Sequence, residues 1–125
     1  VFFFFSHNMT QPRIKRTLTI ANADSVSDAL YFSDTNLLGL IMPAAWTSAA
    51  LTLEVSPDGS SWYPAYDAVG SQTGFIASPV VSAAYAVDLS ALLAWRYVRL
   101  RSGTTATPVT QGAARPIIAI TRELA

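Results

Sequence analysis

Residues 51–66 constrain the fold more than any other stretch of this chain. Hydrophobic and polar residues alternate through Leu51–Val55, stop at the Ser-Pro-Asp-Gly sequence of residues 56–59, and resume toward Trp62. Alternation with a period of two predicts a half-buried β-strand. In a turn, proline presets φ at the first central position, and glycine accepts the positive φ that closes the turn. The stretch therefore predicts a β-hairpin with Gly59 in the left-handed region.

The rest of the chain repeats this pattern of short strands between turn residues. Residues 88–94 are the one plausible helical piece, of one or two turns. The further candidate strands are Arg13–Ile20, Val26–Phe32, Leu37–Met42, Phe75–Ala77, Val80–Val87, Trp95–Arg101, Pro108–Gln111 and Ile117–Arg122. Many short strands at spacings of roughly 8–12 residues are typical of a β-sandwich or barrel. We therefore expect an all-β fold with about eight strands.

Charge is sparse and balanced along this sequence. Only 13% of the residues are charged, and eight basic residues cancel eight acidic ones, whereas about 25% is usual. Such a surface offers no electrostatic reason to bind nucleic acid or an anionic membrane. It also protects little against self-association. We therefore expect a protein that works in an assembly, with no nucleic-acid or membrane partner.

The N-terminal segment, residues 1–12, contains four consecutive phenylalanines and no charge before them. A secretory signal needs a basic start and a longer apolar run, so the segment does not match one. Two interpretations stay open. Met9 is the natural start, or residues 1–12 form an arm that docks on a neighbouring subunit, because a monomer would expose a large apolar patch. In the second case the contact residues are Phe2, Phe3, Phe4 and Phe5.

Residues for catalysis are scarce. His7 is the only histidine and lies in the N-terminal segment, and no Gly-x-Ser-x-Gly elbow occurs, so no serine triad is predicted. Glu54 and Glu123 are the only glutamates, and Asp58 already has a role in the hairpin turn. No carboxylate pair suitable for glycosidase chemistry stands out. We therefore expect a protein that is not an enzyme and needs no cofactor.

Aromatic and arginine residues suggest an interaction surface. Alternation along Trp95–Arg101 places four side chains on one face, and aromatic residues with arginine are enriched in protein interfaces. These candidates are Trp95, Tyr97, Arg99 and Arg101, with Arg13 and Arg16 near the start of the chain. The alternative is a platform on which sugars stack, formed by Trp46, Trp62 and Tyr97. A protein interface is favoured narrowly over the carbohydrate site.

Two segments resemble discoidin-like, galactose-binding-type jelly rolls. Leu53–Trp62 is similar to their strand–Ser-x-Asp-Gly-x-x-Trp hairpin, and Arg96–Arg101 is similar to their Arg-Tyr-Val-Arg-Leu strand. The resemblance implies one antiparallel jelly-roll sandwich over residues 13–125. Domains of this type often hold a structural calcium in an early loop, where this chain has Asp24 and Asp28. Calcium needs six to eight oxygen ligands, so we favour turn formation by these aspartates over a metal site.

The whole sequence also resembles the jelly-roll decoration (cement) proteins of tailed-bacteriophage heads. The similar segments are Asn22–Ala29, Leu38–Pro43, the Trp-containing hairpin and the alanine-rich stretch before Arg115. This resemblance implies a structural virion protein on the outer surface of the capsid. Such a protein forms a homo-oligomer, with a trimer favoured, and binds the major capsid protein. The alternative is a carbohydrate-binding module on a phage tail or fibre, or on a cell-surface protein.

Overall fold

In the part of the chain that the structure describes, eight strands form two packed antiparallel sheets. The computed structural model describes residues 13–32, 35–73, 75–87 and 94–123. The strands are β1 (Arg13–Ile20), β2 (Leu30–Tyr31), β3 (Thr35–Ile41), β4 (Leu51–Ser56), β5 (Tyr63–Pro64), β6 (Ala84–Ala86), β7 (Tyr97–Ser102) and β8 (Arg115–Glu123). Within these described ranges, no helix has the length and hydrophobicity needed to cross a membrane.

The strand order identifies the sandwich as a jelly roll. The first sheet has the order β1-β8-β3-β6, and the second sheet has the order β2-β7-β4-β5. All neighbouring strands are antiparallel. Because consecutive strands alternate between the sheets until β4 and again after β5, the chain crosses the core repeatedly, as in double Greek-key sandwiches. The expected all-β sandwich with about eight strands is confirmed.

Alternating side chains from both sheets fill the core. On β4, Leu51, Leu53 and Val55 are at most 2% exposed, and Leu100 of β7 is fully buried beside them. From the first sheet, the core receives Ile20, Leu37, Leu40, Ile117 and Ala119. Burying each large aliphatic side chain stabilises the fold by about 1.5–3 kcal/mol. The alternation in the sequence thus predicted which face of the β4 hairpin is buried.

Some predicted strands are shorter than expected. Within the predicted strand Val26–Phe32, only Leu30–Tyr31 is a regular strand. Ser27 forms a bridge with Ile20 of the first sheet, whereas Val26 forms one with Arg101 of the second. This segment therefore crosses between sheets, which its apolar pattern did not indicate. Likewise, β7 begins at Tyr97 rather than Trp95, and β6 is only three residues long. Of the predicted helical piece, residues 88–93 lie outside the described residues.

The hairpin turn has the predicted geometry. Gly59 has φ +83°. The Asp58 carboxylate accepts hydrogen bonds from the amides of Ser60 and Ser61 at 2.8 and 2.9 Å. The bonds from Ser61 and Ser60, followed by the bond from the Ser56 hydroxyl, hold the pKa of Asp58 below its usual value, because they favour the charged carboxylate.

A buried glutamine joins the loops at one end of the sandwich. Gln111 is 1% exposed, and its Oε1 accepts bonds from the Thr47 amide at 2.8 Å and Arg115 Nε at 3.0 Å. Its Nε2 donates to the Thr47 carbonyl at 3.1 Å and to Ser102 Oγ at 2.6 Å. Its own amide donates to the Asp24 carbonyl at 2.9 Å. One side chain therefore satisfies polar groups from both sheets and their connections.

Replacing this amide tests its structural role. We expect Gln111→Met to lower the free energy of unfolding by about 2–4 kcal/mol, because buried donors and acceptors lose their partners while the side-chain volume changes little. Urea denaturation monitored by tryptophan fluorescence measures the change. The matched control, Gln72→Met at a half-buried glutamine, should stay within about 0.5 kcal/mol of the wild type. Equal effects of the two substitutions would contradict the role given to Gln111.

The lowered pKa of Asp58 predicts a pH effect with a defined sign. Below the unfolded-state value of 3.8, the unfolded chain binds more protons at this position than the folded chain, so acid destabilises the fold. The stability that Asp58 contributes is present above this pH and is lost as pH falls through the lower folded pKa. We therefore expect the stability difference between wild type and Asp58→Asn to shrink over this acid range. A difference that is constant with pH would disagree with the hydrogen bonds described.

Candidate interaction surface

The outer face of the second sheet brings together aromatic and arginine side chains. The register of β4 and β7 places Glu54 opposite Arg99, and Thr52 opposite Arg101. Alternation puts these side chains on the side away from the core, since Val98 and Leu100 are buried. We call this surface the aromatic–arginine face and define it by Tyr31, Glu54, Trp62, Tyr97, Arg99 and Arg101.

One carboxylate at the centre of this face pairs with two guanidinium groups. Glu54 Oε1 lies 2.7 Å from Arg99 Nη2 and 2.8 Å from Arg99 Nε. Glu54 Oε2 lies 2.7 Å from Arg101 Nη1. Bonds between charged groups at these distances are about twice as strong as neutral ones. Two cations share one anion, so the cluster retains one net positive charge.

Arg101 belongs to the interior of this cluster. The residue is only 3% exposed, and its Nε donates to Thr52 Oγ1 at 3.0 Å. Its Nη2 is buried and has no hydrogen-bond partner among the described residues. Arg101 therefore supports the face from within, whereas Arg99, whose side chain is 23% exposed, is the accessible cation.

Aromatic rings share this face with the accessible arginine. The Arg99 guanidinium carbon lies 4.2 Å from the centroid of the Trp62 ring, a distance suitable for a cation–π interaction. The Tyr31 and Tyr97 rings are 5.1 Å apart and inclined by 44°. A side chain at Gly59 would lie 3.3 Å from the Tyr97 ring, so the hairpin turn packs closely under that tyrosine. Tyr31 remains 49% exposed.

The interface residues predicted from the sequence fall on two surfaces. Tyr97, Arg99 and Arg101 lie together on the second sheet, and the exposed Trp95 lies two residues before β7. Arg13 and Arg16 are exposed on β1, which belongs to the first sheet. The phenylalanines Phe2, Phe3, Phe4 and Phe5 lie outside the described residues.

The structure separates the three aromatic residues of the carbohydrate alternative. Trp62 and Tyr97 share the aromatic–arginine face. Trp46 instead precedes β4, packs partly buried against the core, and donates its indole N–H to the Ala49 carbonyl at 3.1 Å. Any stacking platform on this sheet would therefore exclude Trp46 and involve Tyr31.

The weak calcium candidates have structural partners. Asp28 Oδ1 accepts a bond from the Thr19 amide at 2.7 Å. The Asp24 amide donates to the Ala21 carbonyl at 3.0 Å, closing a turn in which Ala23 has φ +68°. Within the described part of the chain, no group of three or more metal-ligating side chains comes together. The Asp28 carboxylate thus holds the Thr19 amide, and the Asp24 backbone closes a turn, whereas the preference for turns over a calcium site stays a prediction.

Sequence reasoning missed Tyr31 and Glu54. Tyr31 lies opposite Tyr97 in the β2–β7 pair, and Glu54 is 45 residues from Arg99 in sequence. Both assignments need strand register, which local patterns do not provide. The one available signal was the polar position of Glu54 within the β4 alternation.

Comparison with known proteins supports the fold. No family model and no curated protein matches the sequence. The crystal structure of the SPBc2 prophage-derived protein YomS is similar, with a TM-score of 0.53, covering 91% of this chain and 97% of that one. The two sequences are 12% identical, so the similarity shows a shared fold over nearly the full length of both chains.

Removing the charge of Glu54 tests the cluster. We expect Glu54→Gln to destabilise the fold by about 3 kcal/mol, because Arg101 then stays buried without a counter-charge. The double variant Glu54→Gln, Arg101→Met should recover much of the loss, since it removes the unpaired cation. Urea denaturation measures both variants. The control is Asp24→Asn, at an exposed aspartate, which should change the stability little. If Glu54→Gln changed the stability as little as this control, the account would be refuted.

Proposed function

We propose that this chain is a structural protein of a bacteriophage particle, and specifically a decoration protein that binds the major capsid protein. The observation behind the proposal is the aromatic–arginine face, on which the exposed Tyr31 lies beside a charge cluster that is paired internally and includes the half-buried Arg99. The similarity in fold to a prophage-derived protein supports the association with phage.

The composition of this face suits a protein partner. Interface hot spots are rich in tryptophan, tyrosine and arginine, and they lie where packing fixes the side chains in advance. Here Glu54 and Trp62 hold Arg99 from two directions, and Tyr31 and Tyr97 support each other. Less side-chain entropy is then lost on binding, which favours affinity.

The mechanism of such a protein is thermodynamic linkage. A protein that binds only the assembled capsid lattice stabilises that lattice by the free energy of its binding. The proposed location is the outer surface of the capsid, and the proposed state is a homo-oligomer, with a trimer favoured. No catalytic step is required, so we propose a protein without enzymatic activity.

Purified particles of the phage that encodes this chain test the proposal. We expect the protein to be present in hundreds of copies per head, and recombinant protein to rebind heads assembled without it. Quantitative mass spectrometry and sedimentation of heads measure these quantities. Absence from the particle would overturn the proposal, and a few copies per particle would indicate a tail or fibre component instead.

Two matched tyrosine variants test the face itself. We expect Tyr31→Glu to weaken binding to heads about tenfold or more, which is the size of a hot-spot effect. Tyr63→Glu is the control, because Tyr63 is similarly exposed, at 54% against 49%, but lies in register with the inward-facing Val55. Equal binding by both variants would show that this face is not the contact.

A carbohydrate-binding module is the second candidate function. The observation that favours it is the adjacent, partly exposed Tyr31 and Tyr97 rings, which offer a stacking surface for a sugar. Glycan-array binding that is lost in Tyr31→Ala and retained in Tyr63→Ala would favour this candidate. Binding to heads without glycan binding favours the decoration role.

A further inference from the structure

A second surface lies on the opposite side of the sandwich. An open groove of about 410 Å³ crosses the outer face of the first sheet. Its lining residues are Arg13, Leu38, Gly39, Ala84, Tyr85, Ala86 and Ile120. The space exists because two small residues, Gly39 of β3 and Ala86 of β6, lie in register with each other. Ile120 of β8 lies in register with Gly39 on its other side. The lining is mainly apolar, so a partner would be expected to insert an apolar side chain.

The margin of this groove is cationic. Three basic residues of the first sheet, Arg13 and Lys15 on β1 and Arg122 on β8, alternate onto its outer face. The positions between them, which include Leu18, Ile117 and Ala119, are buried. Arg13 lines the groove, and the exposed Lys15 lies in register with Ile120 on the groove wall. Although the net charge of the whole sequence is zero, the outer face of the first sheet is basic. A complementary partner presents an apolar side chain beside a carboxylate.

The chain itself has such a feature in the turn after β5. Val69 is 86% exposed, a high value for a valine. Asp67 Oδ1 accepts bonds from the amides of Val69 and Ser71 at 3.0 and 2.9 Å, and Gly70 has φ +88°. The Asp67 amide also donates to the Ser71 carbonyl at 2.8 Å. The turn therefore holds an apolar side chain outward next to a carboxylate.

We propose that the Asp67–Ser71 turn of one copy inserts Val69 into the first-sheet groove of a second copy. Apolar surface meets apolar surface, and the Asp67 carboxylate approaches the basic margin formed by Arg13 and Lys15. Within a single subunit Val69 is almost fully exposed, so its own groove does not hold it. The contact is therefore between copies, and it does not depend on the proposed role in a phage particle.

This contact joins two different surfaces of the chain. Such a heterologous contact closes into a ring when the rotation between copies permits, and otherwise continues as a filament. A two-fold contact between two first sheets would bring their basic margins together, which like charges disfavour. Charge complementarity therefore favours the arrangement of turn into groove.

Disulfide trapping between two singly substituted chains tests this arrangement directly. The natural chain has no cysteine, so every disulfide formed when Val69→Cys and Ala86→Cys chains are mixed and mildly oxidised joins these positions, and mass spectrometry separates the mixed product from the two homodisulfides. We expect the mixture to form a mixed disulfide efficiently, since the bond requires Cα atoms within about 7 Å. The control mixture replaces Val69→Cys with Ala106→Cys, which is in another exposed turn. Equal yields from the two mixtures would overturn the proposal.

Self-association in solution gives a second, independent measurement. Sedimentation velocity of the unmodified chain should show concentration-dependent association. Val69→Asp should weaken it about tenfold, the effect expected from losing one buried valine, whereas Ala106→Asp should not. A chain that stays monomeric at its highest soluble concentration would overturn the proposal. Because Tyr31→Glu alters the opposite sheet, loss of head binding and loss of self-association are distinguishable.

Discussion

The buried Gln111 amide is the interaction on which the relative placement of the two sheets depends at one end of the sandwich. It contacts Thr47 between β3 and β4, Ser102 at the end of β7, and Arg115 at the start of β8. These segments belong to both sheets. Its four side-chain bonds use both lone pairs and both protons of the amide, so neither polar atom of this buried side chain is unpaired. A hydrophobic side chain of similar size would fill the space without fixing these loops.

The Glu54 cluster has the equivalent role on the outer face of the second sheet. Two arginines on adjacent positions of one face of β7 would repel each other without the carboxylate between them. The β4–β7 register places that carboxylate opposite Arg99. Because the same register aligns the core residues of the two strands, it also determines which charged groups meet on the outer face. The same alignment positions Arg99 over Trp62. The packing of Leu53 and Leu100 in the core and the chemistry of the aromatic–arginine face therefore depend on one register.

Local patterns in the sequence predicted local features well. Turn chemistry predicted the positive φ of Gly59. Alternation predicted that Tyr97, Arg99 and Arg101 share one face of β7, and the burial of Val98 and Leu100 shows that this face points away from the core. The bonds of Gln111 to Thr47 span 64 residues, and no local pattern indicates them. Net charge was similarly uninformative about the groove, because it sums over a molecule whose first sheet is basic and whose exposed aspartates, such as Asp58 and Asp67, lie in loops. What the sequence could not provide was the pairing of distant strands.

The two surfaces lie on opposite sheets, and this separation has a consequence for binding strength. Each subunit would contact its neighbours through the first-sheet groove and the Asp67–Ser71 turn, and neither includes a residue that defines the aromatic–arginine face. If the turn-into-groove contact closes a ring, every aromatic–arginine face in the ring is related by the same rotation axis. Several such faces then meet a repeating lattice together, and each contact after the first is intramolecular, so avidity exceeds the affinity of one face by orders of magnitude. A small domain with few charged residues would thereby hold a lattice firmly through individually modest contacts.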